Sequence, residues 1–311
     1  MIIKHKLFSK NDNSNKESSI AKDATIAGAS VVGYKVGKKG LEKAHEKAYD
    51  YLSDSRNYDE NLEKKLTEEA KSLGIKIKKG NIDNSIYTGK SKLIQSGIKK
   101  YKGLVYKVLG KKGLKELDKE LKYDMGIDLD TVSRMGKDQI ILGKGGTLSD
   151  ADVLAHELGH AKHYGKDRGG SKIGKLLHRG MAPGKMLGTK GVAIANGIRA
   201  GYQEGTKEEK GEKKNKLNRH SAWALPAIAN GTVVGGETAA TRQGLKSLKK
   251  AGASAKYLKK ANKRLGAALG TYATLGAVPI LAGEASYRVG KLAGKLNARK
   301  NKKEKSPKKE D

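Results

Sequence analysis

Beyond about Lys185 the chain is dominated by glycine and alanine set at helical spacing, with few bulky apolar side chains between them. Helices of this kind cannot fill a core with large groups, so they must pack with their backbones close together. The whole sequence holds 40 Gly, about twice the usual share, with one Trp and one Phe. The core is therefore expected to be Leu, Ile, Val and Ala, with Gly at the points of close approach.

Residues 1 to 22 are rich in Ser, Asn, Lys and Asp, which predicts a loose polar tail. The run from Ala24 to Gly37 has Gly33 and Gly37 at a small-xxx-small spacing and reads as a packed helix. It is too short, and followed too soon by Lys38 and Lys39, to span a bilayer. Leu62, Leu66, Ala70 and Leu73 recur at helical spacing with Gly74 as the stop, so residues 23–73 form an N-terminal helical region. The alternation in Ile75-Lys76-Ile77-Lys78 predicts a short strand, and residues 81–89 a turn and a second one. A basic helical region over about 91–123 separates these from a third strand, Gln139 to Leu142. Ser149, with Asp152 three residues on, predicts a capped helix over about 149–164, ended by Gly165 and Gly169-Gly170.

Three Gly/Ala-rich helices follow, at about 185–202, 221–248 and 257–296, with a charged exposed loop over 204–220. Leu265 to Gly283 contains 19 residues without a formal charge. Its Gly, Ala, Thr and Pro279 weaken the hydrophobic drive, so a buried helical hairpin is expected over 251–296 rather than a membrane span. Residues 297–311 make a Lys-rich tail. The fold class that results is mainly α with a small β-sheet, an α+β arrangement.

The net charge is +32. A field of that sign favours an anionic partner, either a phospholipid surface or non-specifically bound nucleic acid. Arg and base-stacking aromatics are scarce, which argues against specific base reading. Gly143-Lys144-Gly145-Gly146 lacks the Lys-Ser/Thr ending of a phosphate loop and reads as a turn into the next helix. There is no Cys, so any metal must be held by His, Asp or Glu. No apolar stretch follows Met1 to Lys6, so a cleavable secretory signal is not expected. The expected location is the cytoplasm or a membrane, peripheral or integral, with a virion or phage-infected cell as the alternative setting.

His156-Glu157-Leu158-Gly159-His160 places two imidazoles one turn apart on one helix face. Two such rings can grip one zinc ion, and the Glu beside the first can act as base to its water. A catalytic zinc site needs a third protein ligand and an open position. His163, two turns from His156, sits about 10 Å along the axis and is too far to share the ion. Glu204 opens the polar loop and would be poorly held. Glu237 lies on an otherwise apolar, Gly-flanked helix, where a carboxylate is costly unless paired or metal-bound, and it is the expected third ligand.

HELGH at 156–160, with Glu-x-x-Ala-Thr-Arg at 237–242, resembles the gluzincin metallopeptidases. Within them it is most similar to the membrane-associated neutral zinc metallopeptidases of the YugP type and the HtpX–CAAX-protease group. The resemblance covers about Gly74 to Leu248 and is carried by residues 139–163 and 235–245. It implies a zincin-like catalytic domain over 74–250, with one zinc held by His156, His160 and Glu237. It implies Glu157 as general base and Thr241 as a hydrogen-bond partner behind the ligands. Gly159 would admit a neighbouring backbone, and Gln139 to Leu142 would form a strand at the cleft edge that pairs with substrate. An oxyanion-stabilising group is also implied, for which His220 ranks ahead of Tyr202 and Arg242.

Two functions are consistent with these features. The first is a zinc endopeptidase acting on a peptide or protein substrate, at a membrane surface. The second is a structural, membrane- or DNA-associated protein, such as a bacteriophage component, in which zinc only holds a zincin scaffold together.

Overall fold

The computed structural model describes residues 4–54, 59–79, 86–88, 103, 106, 110–112, 115, 138–142, 151–165, 168–213 and 216–305. The expected helical region at 91–123 and the Ser149 cap lie almost wholly outside them. The described chain is mainly helical: α1 (Lys4–Asp54), α2 (Glu60–Ser72), β1 (Lys76–Lys79), β2 (Ile86–Thr88), β3 (Gln139–Leu142), α3 (Ala151–Tyr164), α4 (Lys172–Leu187), α5 (Lys190–Lys210), α6 (Lys216–Lys250) and α7 (Ala255–Lys305).

Contacts divide the chain into two compact units. The first comprises Met1–Gly40, Lys190–Ala227 and Ala277–Asp311; the second comprises Leu41–Thr189 and Ile228–Gly276.

The second unit holds the sheet and the main apolar core. Asp59 caps α2 by accepting from the Leu62 amide at 3.0 Å, and Glu60 and Glu63 suit the positive end of the helix. Leu62, Leu66 and Ala70 form the buried stripe of α2. They pack with Ile75, Tyr87, Ile140 and Leu142 of the sheet region and with Leu154, Ala155, Leu158 and Ala161 of α3. The strand order is β1-β3-β2, with β1 parallel and β2 antiparallel to β3. The strand expected at the cleft edge, Gln139 to Leu142, is therefore the central one. Its Ile140 and Leu142 are buried in the core, whereas β1 reads Lys-Ile-Lys-Lys, a composition that suits an edge.

In the first unit α5 and α7 touch backbone to backbone. A Cβ on Gly201 would lie 2.0 Å from the Tyr287 carbonyl oxygen, and one on Gly205 2.0 Å from that of Lys291. Among the described residues an apolar cluster here is built around Ala200, Ala222 and Tyr287. Ion pairs supplement it: Lys291 meets Glu204 at 3.3 Å and Glu208 at 2.8 Å, while Lys295 meets Glu208 at 2.8 Å and also Asp23. Large apolar side chains, among them Val32, Val36, Ile198, Trp223 and Val289, are instead exposed.

Several expectations are corrected by these elements. The polar stretch before residue 22 belongs to α1 from Lys4 onward. The supposed loop at 204–220 is mostly helix: α5 runs to Lys210, α6 starts at Lys216, and Glu204 is buried against Lys291. The predicted hairpin is one continuous helix, α7, which also absorbs the Lys-rich tail as far as Lys305. Pro279 lies inside this helix rather than at a turn. By length and composition α7 could cross a membrane, and most of its apolar stretch is only partly buried. Finally, α4 was not anticipated.

Burial alone would push the Glu208 carboxyl up, but the ammonium groups of Lys291 and Lys295 more than reverse this and hold it at about 2. The folded value lies below the ordinary 4.5, so the stabilisation is complete above 4.5 and is lost as pH falls toward 2. Acid unfolding followed by fluorescence of Trp223, the sole Trp, is expected to show this loss, and Glu208→Gln to flatten it.

Candidate metal centre

In the second unit α3 and the part of α6 from Ile228 onward cross with their backbones in contact. A Cβ on Gly159 would fall 2.1 Å from the Ala240 carbonyl oxygen, and one on Gly244 2.7 Å from that of Ala155. Only glycine permits this approach. It brings Glu237 and Thr241 of α6 level with His156 and His160 of α3.

The Nε2 atoms of His156 and His160 and Oε2 of Glu237 form a triangle with all three separations at 3.1 Å. Glu237 is only 2% exposed. Three electron-pair donors converge on one point, an arrangement that could hold a metal ion. Nδ1 of His156 lies 3.1 Å from Thr241 Oγ1. The expected set of His156, His160 and Glu237, with Thr241 behind it, is thus assembled in one place.

Glu157 points to the sheet. Its Oε2 accepts from the Tyr87 amide at 2.7 Å. That amide therefore faces away from β3, and alternate residues of an antiparallel edge strand face outward in this way. The phenol of Tyr87 donates to Asp138 at 2.6 Å, and Arg168 donates to the same carboxylate at 3.1 Å. This clamp joins β2, the start of β3 and the segment after α3.

Behind the ligands stands His178 of α4, fully buried. Its Nε2 is 2.8 Å from His160 Nδ1, and its Nδ1 is 2.8 Å from the Gly174 carbonyl. Four of the seven histidines, His156, His160, His163 and His178, therefore gather in one cluster. His163 takes no part in the triangle, as its distance along α3 requires: its Nε2 donates to the Ala239 carbonyl at 3.2 Å.

Electrostatics follow from burial in a carboxylate-bearing pocket. Desolvation would push His156 down, but the Glu237 carboxylate reverses this, and the net shift is upward. Burial pushes the Glu157 carboxyl up against the opposing pull of His160 and His156. Burial drives His178 down to about 3, so its ring is neutral. Tyr164, which donates to the His178 carbonyl at 3.3 Å, is pushed up to about 12 by desolvation and by Glu237. Tyr272 of α7 is held protonated by the Glu237 charge, by burial and by Glu157, which puts its phenol in the field of both carboxylates.

The three residues expected to face an oxyanion are placed otherwise. His220 is exposed, edge-on to Trp223 at 5.8 Å. It stands about five turns before Glu237 on the same helix, too far for two side chains of one helix to share a site. Tyr202 belongs to the first unit and accepts from Asn297 there, and Arg242 is exposed. His178, Tyr87 and Tyr272 escaped the sequence reading. The one available signal for His178 was the rarity of histidine in this chain. Tyr87 and Tyr272 carried none, since only the fold brings the Tyr87 amide to Glu157 and the Tyr272 phenol into the field of the two carboxylates. No family model, curated protein or solved structure matches this chain.

Gly159→Ala is expected to cost about 1–3 kcal/mol in chemical unfolding, because the added methyl must separate α3 from α6. The same variant should lower metal stoichiometry in equilibrium dialysis, since Glu237 moves with α6. Metal must displace the proton that Glu237 helps His156 to hold. Apparent affinity is therefore expected to fall about tenfold per pH unit below the raised His156 value, read by titration at several pH values.

Proposed function

We propose that this protein is a zinc-dependent endopeptidase. The observation that carries the reading is Glu157, a buried carboxylate beside three converging metal donors. A metal serving only to hold the fold together needs no such neighbour, and this favours catalysis over the scaffold reading. Two imidazoles and one carboxylate are a donor set that suits zinc, and ligands of a tetrahedral zinc stand about 3.3 Å apart, close to the observed triangle. Zinc bound there would lower the pKa of its water and polarise a peptide carbonyl.

The chain's own Glu157 would then act in two steps. Glu157 takes one proton from the attacking water as its oxygen bonds to the carbonyl carbon. It passes that proton to the departing amine nitrogen as the C–N bond breaks. The charge of +32 and the exposed apolar side chains of the first unit support work at an anionic membrane surface.

Zinc-loaded protein is expected to cleave a quenched fluorescent unfolded polypeptide. Glu157→Gln should retain zinc but lose about 10²–10⁴-fold in rate. Wild-type protein that binds zinc tightly yet leaves a broad peptide library intact would overturn the peptidase reading in favour of a structural metal.

A further inference from the structure

The hydrogen-bond chain behind His160 has a direction that the chemistry of its members determines. It begins at the Gly174 carbonyl, which can only accept, so Nδ1 of His178 must carry the hydrogen of that 2.8 Å bond. The ring is buried and, among the described residues, no carboxylate hydrogen-bonds it, so it has one hydrogen only, and its Nε2 is an acceptor. Nδ1 of His160, 2.8 Å away, must then be the donor. A histidine protonated on Nδ1 presents its lone pair at Nε2, and this is the atom that meets His156 and Glu237 at 3.1 Å.

We propose that His178 is a positioning residue that fixes His160 as an Nε2 metal ligand, through a relay from His160 to His178 to the Gly174 carbonyl. Free imidazole side chains favour the hydrogen on Nε2, so the relay selects the tautomer that solution disfavours. Metal-bound histidines usually donate to a carboxylate, a backbone carbonyl or water. Here a second imidazole carries the carbonyl's influence one ring further. Because the partner is neutral, His160 remains a neutral donor.

The packing around His178 supports the role. The His163 ring stacks on it with centroids 4.7 Å apart and planes at 28°, while Tyr164 meets it edge-on at 5.3 Å. These contacts hold the ring plane that aims Nε2 at His160. The carbonyl it needs comes from the first turn of α4, whose start is set by Ser171 accepting from the Gly174 amide at 3.0 Å. His178 thus has one face packed, one edge bonded to a metal ligand, and the other edge anchored to its own helix.

The inference rests on the metal-centre reading but not on peptidase activity. Its test is metal binding by the full chain, with Zn²⁺ affinity from competition with a chromophoric chelator and ligand-field bands from Co²⁺. His178→Phe keeps the ring volume and removes both hydrogen bonds. It is expected to weaken Zn²⁺ about 10–100-fold and to shift the Co²⁺ bands. His178→Gln returns an acceptor near the Nε2 position and should recover most of the affinity. Wild-type affinity and an unchanged Co²⁺ spectrum in His178→Phe would overturn the proposal. If that variant does not fold, ¹⁵N spectra of wild-type protein labelled at histidine decide alone. Hydrogen on Nδ1 of both His160 and His178 supports the relay, and hydrogen on Nε2 of either refutes it. Wild-type protein that binds neither metal counts against the metal centre itself, while the tautomer measurement still judges the relay.

Discussion

The contact on which the centre depends is made without side chains. Gly159 of α3 lies against the backbone at Ala240, and Gly244 of α6 against that at Ala155. A side chain at either glycine would meet the facing backbone and push the helices apart, and Glu237 would move with α6. The HELGH pentapeptide supplies two imidazoles by its own local geometry, but the third donor exists only because α6 can lie directly on α3. The glycine between the ligand pair is therefore as much a part of the centre as the histidines that flank it.

Polar groups inside the second unit keep that crossing in register. Lys162, two residues beyond His160, reaches Glu69 of α2 and Ser247 of α6, each at 2.7 Å. At the other end of α3, Asp152 pairs with Arg264 of α7 at 3.3 Å, with both side chains almost wholly buried. Removing one partner of such a buried pair leaves an uncompensated charge and typically costs about 3–5 kcal/mol. Helix α3 is thus pinned at its start by α7 and at its end by α2 and α6. Its middle, where the ligands stand, carries small or apolar residues that let the neighbours close in.

How much of this was legible depended on range. HELGH, the short strands and the stop at Gly74 are written in local spacing, and the structure has them where the spacing puts them. Glu237 was legible by a physical argument, since an isolated carboxylate on a Gly-rich apolar helix demands a partner. The errors share one cause. Glu204 looked like the start of a solvated loop because its partner, Lys291, is far away in sequence. Gln139 to Leu142 looked like an edge strand because strand order is set by long-range pairing, with Ile140 opposite both Ile77 and Tyr87. The α4 segment, KIGKLLHRGMAPGKML, reads as broken by its Gly and Pro residues, so His178 had no element to sit on. The buried relay behind His160 was invisible for that reason alone.

The spacing of these partners also orders events in time. His156 and Glu237 are 81 residues apart, Tyr87 and Glu157 are 70 apart, and Asp23 meets Lys295 across 272. During synthesis from the N-terminus, α3 emerges with two imidazoles long before the carboxylate that completes the triangle. Long-range contacts of this kind close slowly, because much of the chain must be ordered first. A newly made chain therefore passes through an interval in which His156 and His160 stand as an incomplete pair. The donor triangle is a late product of folding, and its third corner waits on the glycine crossing of α3 and α6.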